Sequence, residues 1–253
     1  MAEPAAEARR SAPGPGGLGG ARVHVFVADL DEAVLVGDDR HHVETVRRLR
    51  PGDPLSASDG AGRWRPCRLG TGGRLEPTGA VVEEAPPRPP LALGMALTKG
   101  SRPELSVQKL TELGIDRIVV FTAARSVVRW EGERAARHLE RLRRVAREAA
   151  MQCGRVRLPV VEGVAAFSEV ADAPGAALAR AGGGAPSLAH PTVLVGPEGG
   201  WAAEELARGL PGVGLGPLVL RAETAAIAAA ALLAGLRSGL VAPRAQGEHA
   251  GPA

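Results

Sequence analysis

Thr192-Val193-Leu194-Val195 runs without a break into Gly196-Pro197-Glu198-Gly199-Gly200, and no other stretch constrains the fold as tightly. A short apolar, β-branched run predicts a strand buried on both faces. Three glycines and a proline then end it in a turn whose backbone is open to close approach. The next residues, 201–208, predict a helix. Strand, glycine-rich turn and helix together are the local pattern of an α/β sheet, which binds ligands at the carboxyl ends of its strands. A plain tight turn is the simpler reading; a carboxylate among the glycines favours a ligand.

The same alternation runs from Leu91 onward. Strands are expected at 91–97 (LALGMAL), 118–121 (IVVF) and 158–161, with a weak one at 176–178 and one or two short ones in 213–220. Ser101-Arg102-Pro103-Glu104 reads as a capping box opening a helix that runs to Leu113 and stops at Gly114. Long helices are expected at 134–152 and 224–240. Strands alternating with helices predict an α/β domain with a mostly parallel sheet.

Residues 21–84 carry a different pattern. Residues 22–28 (RVHVFVA) alternate with period two, 33–36 are a short apolar run, and Asp59-Gly60 suits a hairpin. Residues 38–49 predict a short helix, and Val81-Val82 closes the segment. Short strands at this spacing suggest a small barrel. Residues 85–90 (APPRPP) form a stiff linker, the clearest boundary in the chain. Residues 1–20 and 243–253 have little to bury and are expected to be disordered tails.

Composition narrows the function. The chain has 253 residues, 45% hydrophobic and 23% charged, enough for a sizeable core in one or two domains. No run of about 18 apolar residues occurs, so no membrane-spanning helix is expected. The first twenty residues have no apolar signal-peptide core. The two cysteines, Cys67 and Cys153, cannot build a disulfide framework, which fits a reducing, cytoplasmic setting. The net charge of +3 and pI of about 9.5 hint at an acidic partner such as nucleic acid. Yet 29 of the 31 basic residues are arginine, while Asn and Tyr are absent, a composition typical of GC-rich coding. The position of the arginines therefore matters more than their number.

Familiar catalytic motifs are missing. There is no phosphate-binding Gly-x-x-x-x-Gly-Lys and no Gly-x-Ser-x-Gly elbow, and Gly212-Val213-Gly214-Leu215-Gly216 is not the Gly-x-Gly-x-x-Gly of dinucleotide binding. His41-His42 lacks partners at metal-ligand spacing, so no metal is expected. Aromatics make up 2% of the chain, too few for base-stacking platforms. Two further segments stand out. In 215–225 (LGPLVLRAETA) a Gly-Pro bend leads to Arg221, Glu223 and Thr224 at the start of a helix. On spacing alone, helix capping by Glu223 or Thr224 and an Arg221–Glu223 pair are favoured. Gln152-Cys153-Gly154-Arg155 ends an arginine-rich helix, which reads equally as a solvated face or a phosphate-contacting surface.

Six segments, in order, resemble those of one family. They are 41–53 (HHVETVRRLRPGD), 99–114 with Lys99-Gly100 and Gln108-Lys109-Leu110-Thr111-Glu112-Leu113-Gly114, Arg125-Ser126-Val127-Val128, the run from Glu148 to Gln152 and Arg155, Gly196-Pro197-Glu198-Gly199-Gly200, and 220–225. The chain resembles, over about residues 22–241, the bacterial 16S rRNA uridine-N3 methyltransferases (RsmE type) of the knotted SPOUT superfamily. It departs from their pattern at Arg47-Arg48, at Trp201, where phenylalanine is common, and at Leu218, where a basic residue is common.

The resemblance implies a PUA-like RNA-binding β-barrel at 21–84 and a trefoil-knotted SPOUT methyltransferase domain at 91–242, working as a homodimer in the cytoplasm without metal or membrane. It implies S-adenosylmethionine as methyl donor and one uridine of 16S rRNA in the small ribosomal subunit, number 1498 in customary rRNA numbering, as substrate. Carried onto this sequence, Leu97, Gly196, Glu198, Gly199, Gly200, Leu215, Gly216, Leu220 and Thr224 would hold the cofactor. Arg221, Glu223 and Glu198 would serve catalysis. Arg22, Arg47, Arg48, Lys99, Gln152 and Arg155 would contact RNA. The alternatives are another SPOUT RNA methyltransferase, such as a ribose 2′-O enzyme, and a non-catalytic RNA-binding assembly protein.

Overall fold

Asp59 turns the first sheet. Its Oδ1 accepts the N–H groups of Ala61 and Arg63 at 2.7 and 3.1 Å, while Gly60 and Gly62 take φ of +76° and +107°. The hairpin expected at Asp59-Gly60 is therefore present, joining β2 (Pro54–Ser58) to β3 (Arg63–Leu69). The computed structural model describes residues 18, 21, 23–97 and 103–242; the tails, apart from Leu18, and the expected N-cap Ser101 lie outside them.

The chain divides into two units by its own contacts. The first holds β1 (His24–Phe26), parallel to β2, and β4 (Leu75–Pro77) and β5 (Val82–Glu83), both antiparallel to β3. Val25, Leu55, Ala57 and Leu69 are fully or almost fully buried. The helix expected over 38–49 is shorter: α1 (Gly37–His41) passes into one π-helical turn (His42–Val46) and ends before Arg48, which takes φ +57°. Residues 33–36 make an isolated bridge from Val34 to Arg74 rather than a strand.

Ala150–Arg157 also belongs to the first unit, although the sequence reading set it within 91–242. The Ser58 hydroxyl donates to the Val156 carbonyl at 2.7 Å. The Arg157 guanidinium donates to the Ala61 and Glu84 carbonyls and lies over Gly62, so a side chain there would have to displace it. These partners are 73 to 98 residues distant in sequence, so no local pattern announces them.

In the second unit, β6 (Ala92–Ala96), β7 (Arg117–Thr122), β8 (Val160–Ala166), β9 (Ala176–Gly184), β10 (Thr192–Val195) and β11 (Gly212–Val213) form one sheet. Its order is β11-β9-β10-β6-β7-β8, and every pair is parallel. Strand alternation sends Leu93, Met95, Ile118, Val120, Val193 and Val195 to one core. They pack there with α2 (Pro103–Glu112), α3 (Gly132–Cys153) and α6 (Ala222–Ser238). Ala96, Val119, Phe121, Leu178 and Leu194 face a second core with Val170 of α4 (Phe167–Ala171) and Trp201. Both faces of the sheet are thus covered, as a parallel sheet requires. Strand alternation turns residue 94 toward the second core, where a Cβ would stand 2.6 Å from Leu194, so glycine fits there.

The order places β6 beside β10, yet the chain leaves them in opposite directions. From β6 it goes through α2 to β7; from β10 it goes through α5 (Ala203–Leu206) to β11, beyond β9. The carboxyl ends of β6 and β10 therefore flank a topological switch point, where α/β sheets open a ligand crevice. Three sequence expectations change here. The weak strand at 176–178 is the long β9. Of the one or two short strands expected in 213–220, β11 reaches only Val213; residues 214–221 form a loop, because Gly214, Gly216 and Pro217 cannot sustain a ladder. The helix expected at 201–208 shrinks to the four residues of α5. No described helix is long and apolar enough to cross a membrane.

Candidate functional site

A cavity of about 290 Å³ opens beside the switch point, over the carboxyl side of β9 and β10, near the roughly 300 Å³ at which small-molecule sites begin. Three segments of the second unit wall it: Ala179, Arg180 and Ala181 of β9; the turn after β10 with Gly196, Pro197, Glu198, Gly200 and Trp201; and 215–220 with Leu215, Gly216, Leu218, Val219 and Leu220. Ala222 and Ala225 of α6 close it. Its walls are mostly apolar, with one cation, Arg180, and one anion, Glu198, both exposed.

The turn after β10 owes its path to Trp201. The indole packs on Gly196, where a Cβ would stand 2.9 Å from the ring, and its Nε1–H donates to the Ala179 carbonyl at 3.0 Å. Trp201 also lies parallel to Phe121, with centroids 6.3 Å apart. Gly200 at φ +70° and Gly216 at φ +135° hold conformations that L side chains rarely adopt, on opposite walls. From outside the cavity, the Arg125 guanidinium donates to the Gly199 carbonyl at 2.7 Å. The buried Glu205 carboxylate accepts the N–H groups of Ala124 and Ala202 at 2.9 and 2.8 Å.

A smaller cavity adjoins the first, sharing Val195 and Ala222. Met95, Ala96 and Leu97 at the end of β6, Pro103 and Ser106 of α2, and Glu223 complete it. Arg221 occupies the N-cap position of α6 without a side-chain cap. Neither Glu223 nor Thr224 caps the helix, and no Arg221–Glu223 ion pair forms among the described residues, so the reading from spacing is corrected. The reason is placement: both follow the N-cap and lie within the first helical turn. Glu223 faces the smaller cavity; Thr224 is exposed and lines neither.

The structure thus gathers Leu97, Gly196, Glu198, Gly200, Leu215, Gly216, Leu220 and Glu223 around two joined cavities. Gly199 and Arg221 flank these walls. Arg47, Arg48, Gln152 and Arg155 belong to the first unit and line neither cavity. Arg22 and Lys99 lie outside the described residues. Sequence reasoning missed the β9 wall, because the glycines at 182–184 disguise that strand. It also missed Glu205, whose only signal is a carboxylate three residues after the start of a helix. Among the described residues no three His, Cys, Asp or Glu side chains gather as a metal site.

The resolved charge shifts lie in the first unit. Burial lowers the His24 pKa from 6.5 to about 4, partly opposed by the Arg155 backbone carbonyl, which favours the protonated ring. Burial raises that of the Cys67 thiol, against the pull of Arg65.

The family model for the RNA methyltransferase domain matches residues 85–234, the stretch that contains every wall of both cavities. The ribosomal RNA small subunit methyltransferase E of Mycobacterium bovis is 38% identical over 224 residues, covering 78% of this chain and 84% of that protein. Its namesake in Bacillus subtilis is 31% identical over 219 residues, covering 76% and 85%. The crystal structure of ribosomal RNA small subunit methyltransferase E from Neisseria gonorrhoeae bound to S-adenosyl methionine superimposes with a TM-score of 0.68 at 28% identity, covering 85% of this chain and 97% of that one.

Proposed function

The chain belongs to the RNA methyltransferase family that includes ribosomal RNA small subunit methyltransferase E, and from that premise we propose that it methylates N3 of one uridine in 16S rRNA, using S-adenosylmethionine. The observation that carries this reading is the glycine-walled cavity beside the switch point of an all-parallel sheet, inside the matched stretch. The residues present fit the cofactor. Gly196, Gly200 and Gly216 let backbone approach an adenosine, the apolar walls suit its ring, and Arg180 and Glu198 offer opposite charges to a zwitterionic amino-acid end. The target is uridine 1498 of the small subunit.

The cofactor supplies a sulfonium methyl group; the rest of the chemistry falls to this chain. N3 of neutral uridine carries a proton that must leave as the new bond forms. Glu198 and Glu223 each line a cavity and are in no ion pair among the described residues, so either carboxylate can accept it. In this reading Arg221, at the N-cap of α6 beside the 215–220 wall, stabilises the negative charge that develops on the uracil oxygens. The two cavities share Val195 and Ala222, which suits a donor in the larger and the reacting centre toward the smaller.

In this reading 21–84 is a PUA-like RNA-holding barrel and 91–242 a trefoil-knotted domain that pairs with a second copy in the cytoplasm. Arg22, Arg47, Arg48, Lys99, Gln152 and Arg155 contact the RNA. The test is methyl transfer to small subunits that lack the modification, followed by nucleoside mass spectrometry and mapping. N3-methyluridine at 1498 is expected. A 2′-O-methylated nucleoside would keep the cofactor and overturn the target atom; no product and no cofactor binding would overturn the enzyme.

A further inference from the structure

Arg125-Ser126-Val127-Val128 is a segment to which the proposed chemistry gives no task. It follows β7, two strands away from β10, and lines neither cavity. Yet two hydrogen bonds, from Ala124 just before it and from Arg125, join it to the turn after β10 and the start of α5, and a third anchors Glu205 there. Glu205, 3% exposed, accepts Ala124 N–H on Oε1 and Ala202 N–H on Oε2. Arg125 donates to the Gly199 carbonyl. Ser126 stiffens the far side, its hydroxyl accepting the Ala123 N–H at 3.1 Å while its own N–H donates to the Ala123 carbonyl at 3.0 Å.

We propose that Glu205 is a positioning residue for cofactor binding, tying the 123–126 turn to the glycine-rich turn after β10 so that the larger cavity is formed before the ligand arrives. A turn holding Gly196, Gly199 and Gly200 has more backbone freedom to lose than any other wall. Fixing it in advance removes that cost from binding. The carboxylate does what its own helix cannot. Residue 202 is alanine, with no side-chain oxygen for an N-cap, so the Glu205 carboxylate supplies the side-chain bond at the start of α5. Its second oxygen reaches a neighbouring turn, which helix capping does not require.

Glu169 provides an internal control. It sits three residues after Ala166 at the start of α4 and accepts the Ala166 N–H at 3.0 Å, the same capping geometry, in contact with neither cavity. If Glu205 acted only as a cap, Glu205→Gln and Glu169→Gln would behave alike.

The inference rests on the proposed cofactor, so wild-type binding of S-adenosylmethionine is measured first by calorimetry; no binding there overturns the proposed function itself. Given binding, Glu205→Gln, which turns one acceptor into a donor facing a backbone N–H, is expected to weaken it at least about tenfold. Turnover at saturating cofactor should stay within about threefold. Glu169→Gln should leave affinity within about twofold. A Glu205→Gln protein that melts earlier but binds as tightly as wild type overturns the proposal. So does an equal loss in both variants. Arg125→Ala changes an exposed residue and reports on the same tie even if Glu205→Gln does not fold: a weakening of about threefold supports the proposal, and unchanged affinity overturns it.

Discussion

Gly196 and Trp201 occupy one space: the indole lies where a side chain on residue 196 would begin, with a Cβ only 2.9 Å from the ring. The ring cannot retreat, because Phe121 and Phe167 pack around it and Nε1 is bonded to Ala179. Gly196→Ala is therefore expected to cost about 1–3 kcal/mol of stability by overpacking. It should weaken S-adenosylmethionine binding as the cavity wall shifts. Urea unfolding and calorimetry check both; an unchanged pair of values would mean that the ring moves freely.

Trp201→Phe keeps the aromatic contact and removes one donor. The Ala179 carbonyl then loses its partner at a half-buried position, and a loss of about 1 kcal/mol is expected. Because that bond joins the β9 and β10 walls, cofactor affinity should fall as well. Thermal melts at fixed ligand concentration read the two effects together, and apo melts separate them.

Arg221 is exposed at the edge of the site, so replacing it should leave the fold intact. Arg221→Ala is expected to lower kcat by about 100-fold, as loss of a charge-stabilising donor does elsewhere. The KM for the cofactor should stay within about threefold. Steady-state methyl transfer to small subunits decides; a change confined to KM would move Arg221 from chemistry to binding.

At the opposite end of the sheet, Arg237 of α6 binds the Asp116 carboxylate and the Gly114 carbonyl, while Asp116 also accepts the Leu91 N–H at 2.9 Å. The pair is 13% and 20% exposed, buried enough that removing one partner strands the other. Arg237→Ala should cost about 2–3 kcal/mol. Cofactor affinity of the folded protein should not change, because Arg237 ties α6 to the amino ends of β6 and β7. Denaturant unfolding and calorimetry form the test.

His24 gives the first unit a pH dependence of defined sign. Burial holds its pKa at about 4 in the folded protein, against 6.5 when unfolded. The neutral ring packs in the fold with Nδ1 bonded to Ser56, and the unfolded chain takes up the proton more readily. Its contribution is fully present above pH 6.5 and is lost as pH falls toward about 4, a change of about 3 kcal/mol. His24→Gln should flatten the stability profile between pH 7 and 4 by that amount. Parallel profiles for the two proteins would remove His24 from the acid response.

Legibility differed by element. The strand at Thr192–Val195 and the hairpin at Asp59 were readable because each is set by neighbours along the chain. The glycines of the cavity walls could be named in advance, since a turn at a strand end displays its composition. Strand β9 was harder, because its glycines reflect close packing of its backbone against Gly214 and Val213, a partner supplied thirty residues later. Glu223 could be singled out as a charge, but whether it capped a helix or faced a cavity depended on where α6 begins.

The sequence by itself determined an α/β chain, a boundary near residue 85 and a glycine-rich turn after a buried strand, because these follow from local spacing and composition; the family was legible only through the resemblance of six ordered segments. Only the tertiary structure decided that β6 and β10 stand side by side, that Ala150–Arg157 joins the first unit, and that Glu205 reaches Ala124 from 81 residues away. Such pairings depend on which surfaces meet once the strands have ordered. A buried carboxylate in a helix looks the same in sequence whether it serves its own helix or a neighbouring loop.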